Sequence, residues 1–388
     1  MNNIRKLTDS LFWVGVNDRR IALFENVYPV PTGMSYNSYV LLDEKTALFD
    51  TVDASFTHDF LENVTAALKG RTLDYLIVNH MEPDHCASIA DVIAAYPEAK
   101  IVCTAKAVGM MKQFFDFDVD SRAIPVKEGD TVSLGSHEIT FVMAPMVHWP
   151  EVMVTYEKTE KILFSADGFG KFGALDADEP WEDEARRYFI NIVGKYGVQV
   201  QNLLKKAATL DIQIICPLHG PILKENLGYY IGKYLTWSSY EPEEKGVVIA
   251  CASIHGNTMI AAKKLAEILK AKGEKNVILY DLARDDMPSA IADAYRYDRL
   301  VVAAASYDGG IFPCMETFLR KLKAKNFQKR TVGYIQNGTW APCTAKQMQA
   351  IMGELKNITN VEPVVTIKSA MKEADVAQLE ALADALMA

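Results

Sequence analysis

Asn79-His80-Met81-Glu82-Pro83-Asp84-His85 is the stretch on which the reading of this chain turns. It follows an apolar run, Leu73–Val78, with the length and composition of a strand buried on both faces. His80, Glu82, Asp84 and His85 put four potential metal ligands within six residues. Each such group needs a partner once it leaves water, so packing alone does not account for this density. Three more candidates share the setting, at the end of an apolar run or just beyond it. His148 follows Phe141–Val147, Asp167 follows Ile162–Ala166, and His219 follows Ile212–Leu218. Together they offer four imidazoles and three carboxylates, a set that suits two cations with Asp167 as the bridge. Nitrogen and oxygen donors favour iron, manganese or zinc over copper(I) or an iron–sulfur cluster. Between those metals the ligand types do not choose.

Outward from this stretch, the first 240 residues read as short strands with fewer helices. Strands are predicted at Leu11–Val16, Tyr36–Leu42, Thr46–Val52, Lys100–Thr104, Glu138–Ala144, Val152–Tyr156 and Lys161–Ser165. Helices are predicted at His58–Lys69, Ile89–Ala95, Ala107–Phe115 and Glu182–Ala208. Sheets inside and helices outside fit that pattern. The polar stretch Ser238–Lys245 reads as a linker, dividing the chain into domains at 1–245 and 246–388. Beyond it strands and helices alternate. Strands at Gly246–Ala252, Val277–Asp281, Leu300–Ala305, Thr331–Ile335 and Val361–Thr366 are separated by helices at Thr258–Lys272, Pro288–Tyr295, Met315–Lys323 and Ala345–Leu355, with a last helix at Asp375–Leu386. That alternation predicts a doubly wound parallel sheet, which binds ligands beyond the carboxyl ends of its strands.

Three loops occupy those ends. Ser253-Ile254-His255-Gly256-Asn257-Thr258 opens a helix after the first strand, and its hydroxyls and backbone N–H groups suit a phosphate. No P-loop lysine and no G-x-G-x-x-G is present, which favours a monophosphate over a triphosphate or a dinucleotide. Ser306-Tyr307-Asp308-Gly309-Gly310 and Gln336-Asn337-Gly338-Thr339-Trp340 follow the third and fourth strands.

The bulk numbers narrow the class. The 388 residues are 49% hydrophobic and carry a net charge of −9, enough apolar material for two cores and an unfavourable balance for nucleic acid. No apolar run approaches the roughly 20 residues that span a bilayer, and no secretory leader is read at the N-terminus, so a cytoplasmic location is expected. The six cysteines form no C-x-x-C pair and read as free thiols, which excludes an all-cysteine metal site within the chain. His58 and His137 read as surface histidines, and His255 as part of the phosphate loop. Arg320-Lys321-Leu322-Lys323-Ala324-Lys325 reads as a solvated helix end or as a docking patch for an acidic electron carrier.

The His80-x-Glu82-x-Asp84-His85 core resembles the metallo-β-lactamase motif His-x-His-x-Asp-His, with Glu82 in place of the second histidine. That replacement is the mark of the flavodiiron proteins (A-type flavoproteins). Gaps of 62 residues from His85 to His148 and 18 from His148 to Asp167 match the same family. So do the flanks His148-Trp149-Pro150 and His219-Gly220-Pro221, and the early Ser35-Tyr36-Asn37-Ser38-Tyr39 with Leu48-Phe49-Asp50. The Ser253–Thr258 loop is similar to the flavodoxin phosphate loop.

The resemblance implies an N-terminal metallo-β-lactamase-like αββα sandwich and a C-terminal flavodoxin-like domain, an α/β protein throughout. It implies a diiron site with His80, Glu82 and His148 on one iron, Asp84, His85 and His219 on the other, and Asp167 between them. It implies FMN held by the three loops, with Tyr307 or Trp340 stacking on the ring; Ser306-Tyr307-Asp308 departs from the family's usual Thr-Tyr-Asn. The implied activity is reduction of O2 to water, of NO to N2O, or of both. Four electrons reduce O2 to two waters, the number that two ferrous ions and a fully reduced FMN hold together. Rubredoxin or another small donor would supply them, and a head-to-tail homodimer or dimer of dimers would bring flavin and irons together. The rivals are a zinc hydrolase of the metallo-β-lactamase fold and an electron-transfer module that uses only the flavodoxin half.

Overall fold

The apolar runs of the first part of the chain become two sheets laid face to face. The computed structural model describes residues 3–388 and separates into two compact units. One comprises the residues up to Phe189 with Val198–Leu235, the other Ile190–Gly197 with Thr236–Ala388.

In the first unit a seven-stranded sheet runs Arg5–Lys6, Leu11–Trp13, Tyr39–Leu42, Thr46–Phe49, Tyr75–Ile77, Lys100–Thr104, Ala123–Val126. From Thr46–Phe49 onward its strands are parallel. A five-stranded sheet runs Thr131–Ser133, Glu138–Met143, Met153–Glu157, Ile162–Phe164, Ile214–Cys216. Their inner faces share one core, in which Trp13, Tyr39 and Phe141 are buried and the rings of Phe49 and Phe164 stack at 3.7 Å across the gap. Truncating either phenylalanine to alanine would cost about 3–5 kcal/mol. Helices Thr57–Leu68 and Ala105–Phe114 cover the outside of the first sheet. The expected αββα sandwich is the fold observed.

The second unit is a parallel sheet in the order Val277–Asp281, Glu244–Ala252, Tyr297–Tyr307, Arg330–Asn337, with Ile358–Asn360 and Val365–Ile367 one after the other along the far edge. This 2-1-3-4-5 order is that of flavodoxin. Val247, Ile249 and Cys251 face helices Asn257–Ala271 and Glu373–Met387 on one side of the sheet. Helices Met287–Arg296 and Pro313–Ala324 cover the other side.

The structure departs from the sequence expectations in four places. The single helix predicted over Glu182–Ala208 is broken into a helix at Trp181–Tyr188, a π-turn at Phe189–Val193, a 3-10 turn at Gly194–Tyr196 and a helix at Gly197–Ala207. Glycine weakens a helix, and a side chain at Gly197 would meet Ser238 O at 2.3 Å. The fifth strand is split around Pro363, which has no N–H to give to a ladder. The polar Ser238–Lys245 stretch includes the end of helix Leu227–Ser239 and the start of strand Glu244–Ala252, with Ser238 and Tyr240 buried. His137 is not a surface residue. It is buried, with Nδ1 3.0 Å from Oε1 of the fully buried Glu157, which compensates for removing both from water.

Candidate binuclear metal centre and flavin cleft

Every candidate ligand stands just past the carboxyl end of a strand. His80, Glu82, Asp84 and His85 follow Tyr75–Ile77, His148 follows Glu138–Met143, Asp167 follows Ile162–Phe164, and His219 follows Ile214–Cys216. Among the described residues, two groups of ligating side chains converge: His80, Glu82, His148 and Asp167 in one, Asp84, His85 and His219 in the other.

Asp167 faces both. Its Oδ2 lies 3.4 Å from His80 Nε2 and 3.0 Å from His148 Nε2. Its Oδ1 lies 3.4 Å from His85 Nε2 and 3.9 Å from His219 Nε2. Glu82 Oε2 closes the first group at 3.3 Å from His80 Nε2 and 3.0 Å from His148 Nε2. Asp84 Oδ2 closes the second at 3.3 Å from both His85 and His219. Ligands about 2.1 Å from a common ion are separated by about 3.0 Å in octahedral and about 3.4 Å in tetrahedral geometry. The donor spacings fall in that range except the 3.9 Å between Asp167 Oδ1 and His219 Nε2.

The hydrogen bonds show what the donors are aimed at. His80 Nδ1 lies 2.8 Å from Glu151 Oε1, and His219 Nδ1 lies 2.7 Å from the carbonyl oxygen of Ser35. Each Nδ1 carries the proton and donates it, which leaves the Nε2 lone pairs directed into the site. The Nε2 atoms of His85 and His219 approach to 3.0 Å. Both carboxylate oxygens of Asp84 and of Asp167 are buried and accept no hydrogen bond. Buried polar atoms are ordinarily satisfied, so these four orphaned oxygens among converging imidazoles fit a pair of cations. No thiolate joins them: Cys86, the nearest in sequence, directs its Sγ to Met81 O at 3.1 Å, and burial pushes the thiol up to about 12.

In the metal-free protein the neighbouring carboxylates favour protonated imidazoles. Burial opposes charge on His148, yet the carboxylates of Asp167 and Glu82, each 3.0 Å from its Nε2, outweigh it and raise the imidazole to about 9. Burial works equally against charge on Glu82, but His148 and His80 hold its carboxyl well below the usual range.

The scaffold behind the ligands explains how so many polar groups stay ordered. Asp50 Oδ1 accepts the backbone N–H groups of Asn79 (2.7 Å) and His80 (3.1 Å), and its Oδ2 accepts from Asn79 Nδ2 (2.7 Å). Desolvation nevertheless raises the Asp50 carboxyl to about 6. Thr51 Oγ1 donates to His85 O at 2.7 Å. Asn37 Nδ2 donates to the carbonyls of Pro217 and Gly220, both at 2.9 Å, and Ser35 Oγ accepts from Gly220 N at 2.7 Å. Gly220 sits at φ +75°, and a side chain there would come within 2.7 Å of Lys171 Cγ. The rings of Phe24, Tyr36 and Tyr188 surround His219 at 5.4, 6.0 and 5.5 Å.

Sequence reasoning missed Glu151. It lies three residues after His148 in a turn that showed no ligand spacing, and only its burial beside His80 reveals its part. The roles of Ser35, Asn37 and Asp50 were also unread, although their stretches carry the family resemblance.

In the second unit, a cleft of about 750 Å³ opens at the carboxyl ends of the strands. Its size falls within the usual span of small-molecule sites. Ser253, Ile254, His255, Asn257 and Thr258 line it, as do Ser306, Tyr307, Asp308, Gly309, Asn337, Gly338, Thr339 and Trp340. Gly256 does not line it but caps helix Asn257–Ala271 at φ +92°, with its N–H donating to Ser253 Oγ at 3.0 Å. The cleft also includes Ser369, on a loop that sequence reasoning did not single out. Asn337 holds that loop by donating to Ser369 O (2.9 Å) and accepting from Ser369 N (3.1 Å). Trp340 is 89% exposed and Tyr307 44%, two aromatic faces at the rim of the cleft. Within the basic run Arg320–Lys325, Arg320 pairs with Glu316 at 2.7 Å, Lys323 pairs with Glu354, and Lys325 donates to Asn191 O.

Comparison with known proteins agrees with this geometry. A family model described as ODP family beta lactamase matches residues 34–220. An anaerobic nitric oxide reductase flavorubredoxin of Aeromonas hydrophila is 27% identical over 88% of this chain and 71% of its own. An uncharacterised protein of Methanocaldococcus jannaschii is 29% identical over 95% of this chain and 94% of its own. The solved rubredoxin oxygen:oxidoreductase from Desulfovibrio gigas superimposes with a TM-score of 0.92 at 27% identity, over 99% of this chain and 98% of that one. The flavodiiron protein of Giardia intestinalis shares the fold, with a TM-score of 0.91 at 23% identity over 99% of this chain and 97% of that one. Fold and site thus define a metallo-β-lactamase-like binuclear metalloprotein joined to a flavodoxin-like unit. Over nearly its whole length the chain is similar to rubredoxin oxygen:oxidoreductase and to the flavorubredoxins, and its fold is that of the solved flavodiiron proteins.

Proposed function

We propose that the chain is an oxidoreductase that reduces O2 to water, NO to N2O, or both, with electrons delivered through FMN from rubredoxin or another small carrier. The observation that carries this reading is Asp167, whose two orphaned oxygens each face a separate set of nitrogen and oxygen donors. In the ligand assignment we adopt, His80, Glu82 and His148 would hold one iron and Asp84, His85 and His219 the other, with Asp167 shared between them. Ser253–Thr258 would hold the phosphate of FMN in the cleft, and Tyr307 or Trp340 would stack on its ring. Bound iron and flavin supply the redox chemistry; the chain supplies geometry and polarity. Glu82 adds negative charge where a neutral imidazole would otherwise stand, which favours the higher oxidation state and redox work over zinc hydrolysis. Glu151 and the Ser35 carbonyl fix the tautomers of His80 and His219, so both present lone pairs rather than protons. The aromatic rings around His219 keep that side of the site dry.

The assembly we favour is the family's head-to-tail homodimer, or a dimer of dimers, in the cytoplasm. Among the described residues no helix is long and apolar enough to cross a membrane. Sedimentation over a range of concentrations tests the assembly, and a monomer with full activity at high dilution would overturn it. The activity is tested by mixing anaerobically reduced holoprotein with O2 or NO. Rapid reoxidation is expected; reduced protein inert to both gases would reject the proposal.

A further inference from the structure

A cavity of about 20 Å³ lies within the first unit, between the sheet residues Val142, Val154 and Leu163 and the helical residues Val200, Leu204 and Ala207. Its wall continues through Val147, which directly precedes His148, and through Ser165 and Gly168, which flank Asp167. The two turns that carry His148 and Asp167 to the metal centre therefore also border this void.

The size and chemistry of the cavity select its occupant. A void needs roughly 10–15 Å³ to admit one water-sized molecule, and a water held there needs two to four polar partners. The wall offers few. Ser165 Oγ is engaged with Gly168 O at 2.6 Å, and the Tyr234 hydroxyl accepts the Phe169 N–H at 2.6 Å. The remaining side chains in the wall are apolar. Apolar cavities of this kind stay dry and take up uncharged gases.

We infer that this cavity is a binding site for a single small uncharged gas molecule, placed behind the ligand turns so as to raise the local concentration of O2 or NO beside the metal centre. The inference rests on the reductase reading for its physiological ligand, but the site itself is tested without turnover.

Crystals of the holoprotein pressurised with krypton should show one krypton peak between Leu163 and Leu204. Ala207→Val narrows the void and should abolish the peak; Leu204→Ala enlarges it and should strengthen the peak. With O2 or NO as substrate, Ala207→Val should raise KM severalfold at unchanged kcat, because neither the ligands nor the flavin are touched. An ordered water in the cavity, no krypton at pressures that load other apolar sites, or wild-type KM in a folded Ala207→Val protein would each overturn the inference. Krypton uptake needs no reduced metal, so a holoprotein inert to both gases would refute the reductase reading by a separate observation.

Discussion

His80 and Glu151 form a buried pair, Nδ1 to Oε1 at 2.8 Å, in which the carboxylate also accepts the N–H of Met81 at 2.8 Å. The side chains of both are fully buried. A carboxylate behind a ligating imidazole fixes the ring and makes it a stronger donor, and removing such a partner commonly lowers metal affinity 10–100-fold. Glu151→Gln should retain the fold and lose iron to a chelator at about 10–100-fold lower concentration than the wild type. Equal retention would show that Glu151 serves packing alone.

Asp50 clamps the ligand loop from below, with three hydrogen bonds to Asn79 and His80. In Asp50→Ala those donors stay buried without an acceptor, at about 1–3 kcal/mol each. Urea unfolding of the metal-free variant should show a loss of at least about 3 kcal/mol. A loss below about 1 kcal/mol would mean that the loop is held by other contacts.

The metal-free protein should respond to pH through His148, raised from its ordinary 6.5 to about 9 by Asp167 and Glu82 against the effect of burial. A histidine raised on folding contributes stability that is fully present below 6.5 and is lost as pH climbs through about 9. The melting temperature of the metal-free form should therefore fall between pH 6.5 and 9, while the iron-loaded form, with no proton at that nitrogen, should not follow. Loading at pH 7 should release protons into a weakly buffered solution. Metal uptake without proton release would contradict protonated imidazoles in the metal-free site.

Trp340 and Tyr307 present exposed aromatic faces at the rim of the flavin cleft. If one of them stacks on the ring, its replacement by alanine should weaken FMN binding by about tenfold, which corresponds to about 1.4 kcal/mol. Quenching of flavin fluorescence during titration measures it. Unchanged affinity in both variants would move the stacking contact elsewhere in the cleft.

Much of this was legible in the sequence because its strongest signals are local. Four candidate ligands within six residues mark a metal loop whatever the fold, and the alternating strands and helices after residue 246 leave little choice but a parallel sheet. What escaped depends on contacts between distant segments. Glu151 meets His80 across 71 positions, and Asn37 reaches Pro217 and Gly220 across about 180. His137 read as exposed because nothing local announces that Glu157 lies 3.0 Å from it. The interruption at Phe189–Val193 was invisible to periodicity, since its apolar residues keep a helical rhythm that the close approach at Gly197 overrides. Ser369 was missed because its place in the cleft is set by Asn337, on another loop.

The most direct measurement is elemental and flavin analysis of the purified protein together with the iron site's Mössbauer spectrum. The account predicts two irons and one FMN per chain, with the two irons magnetically coupled through Asp167, and loss of both irons in Asp167→Ala. A colourless protein that carries zinc and no flavin would contradict it.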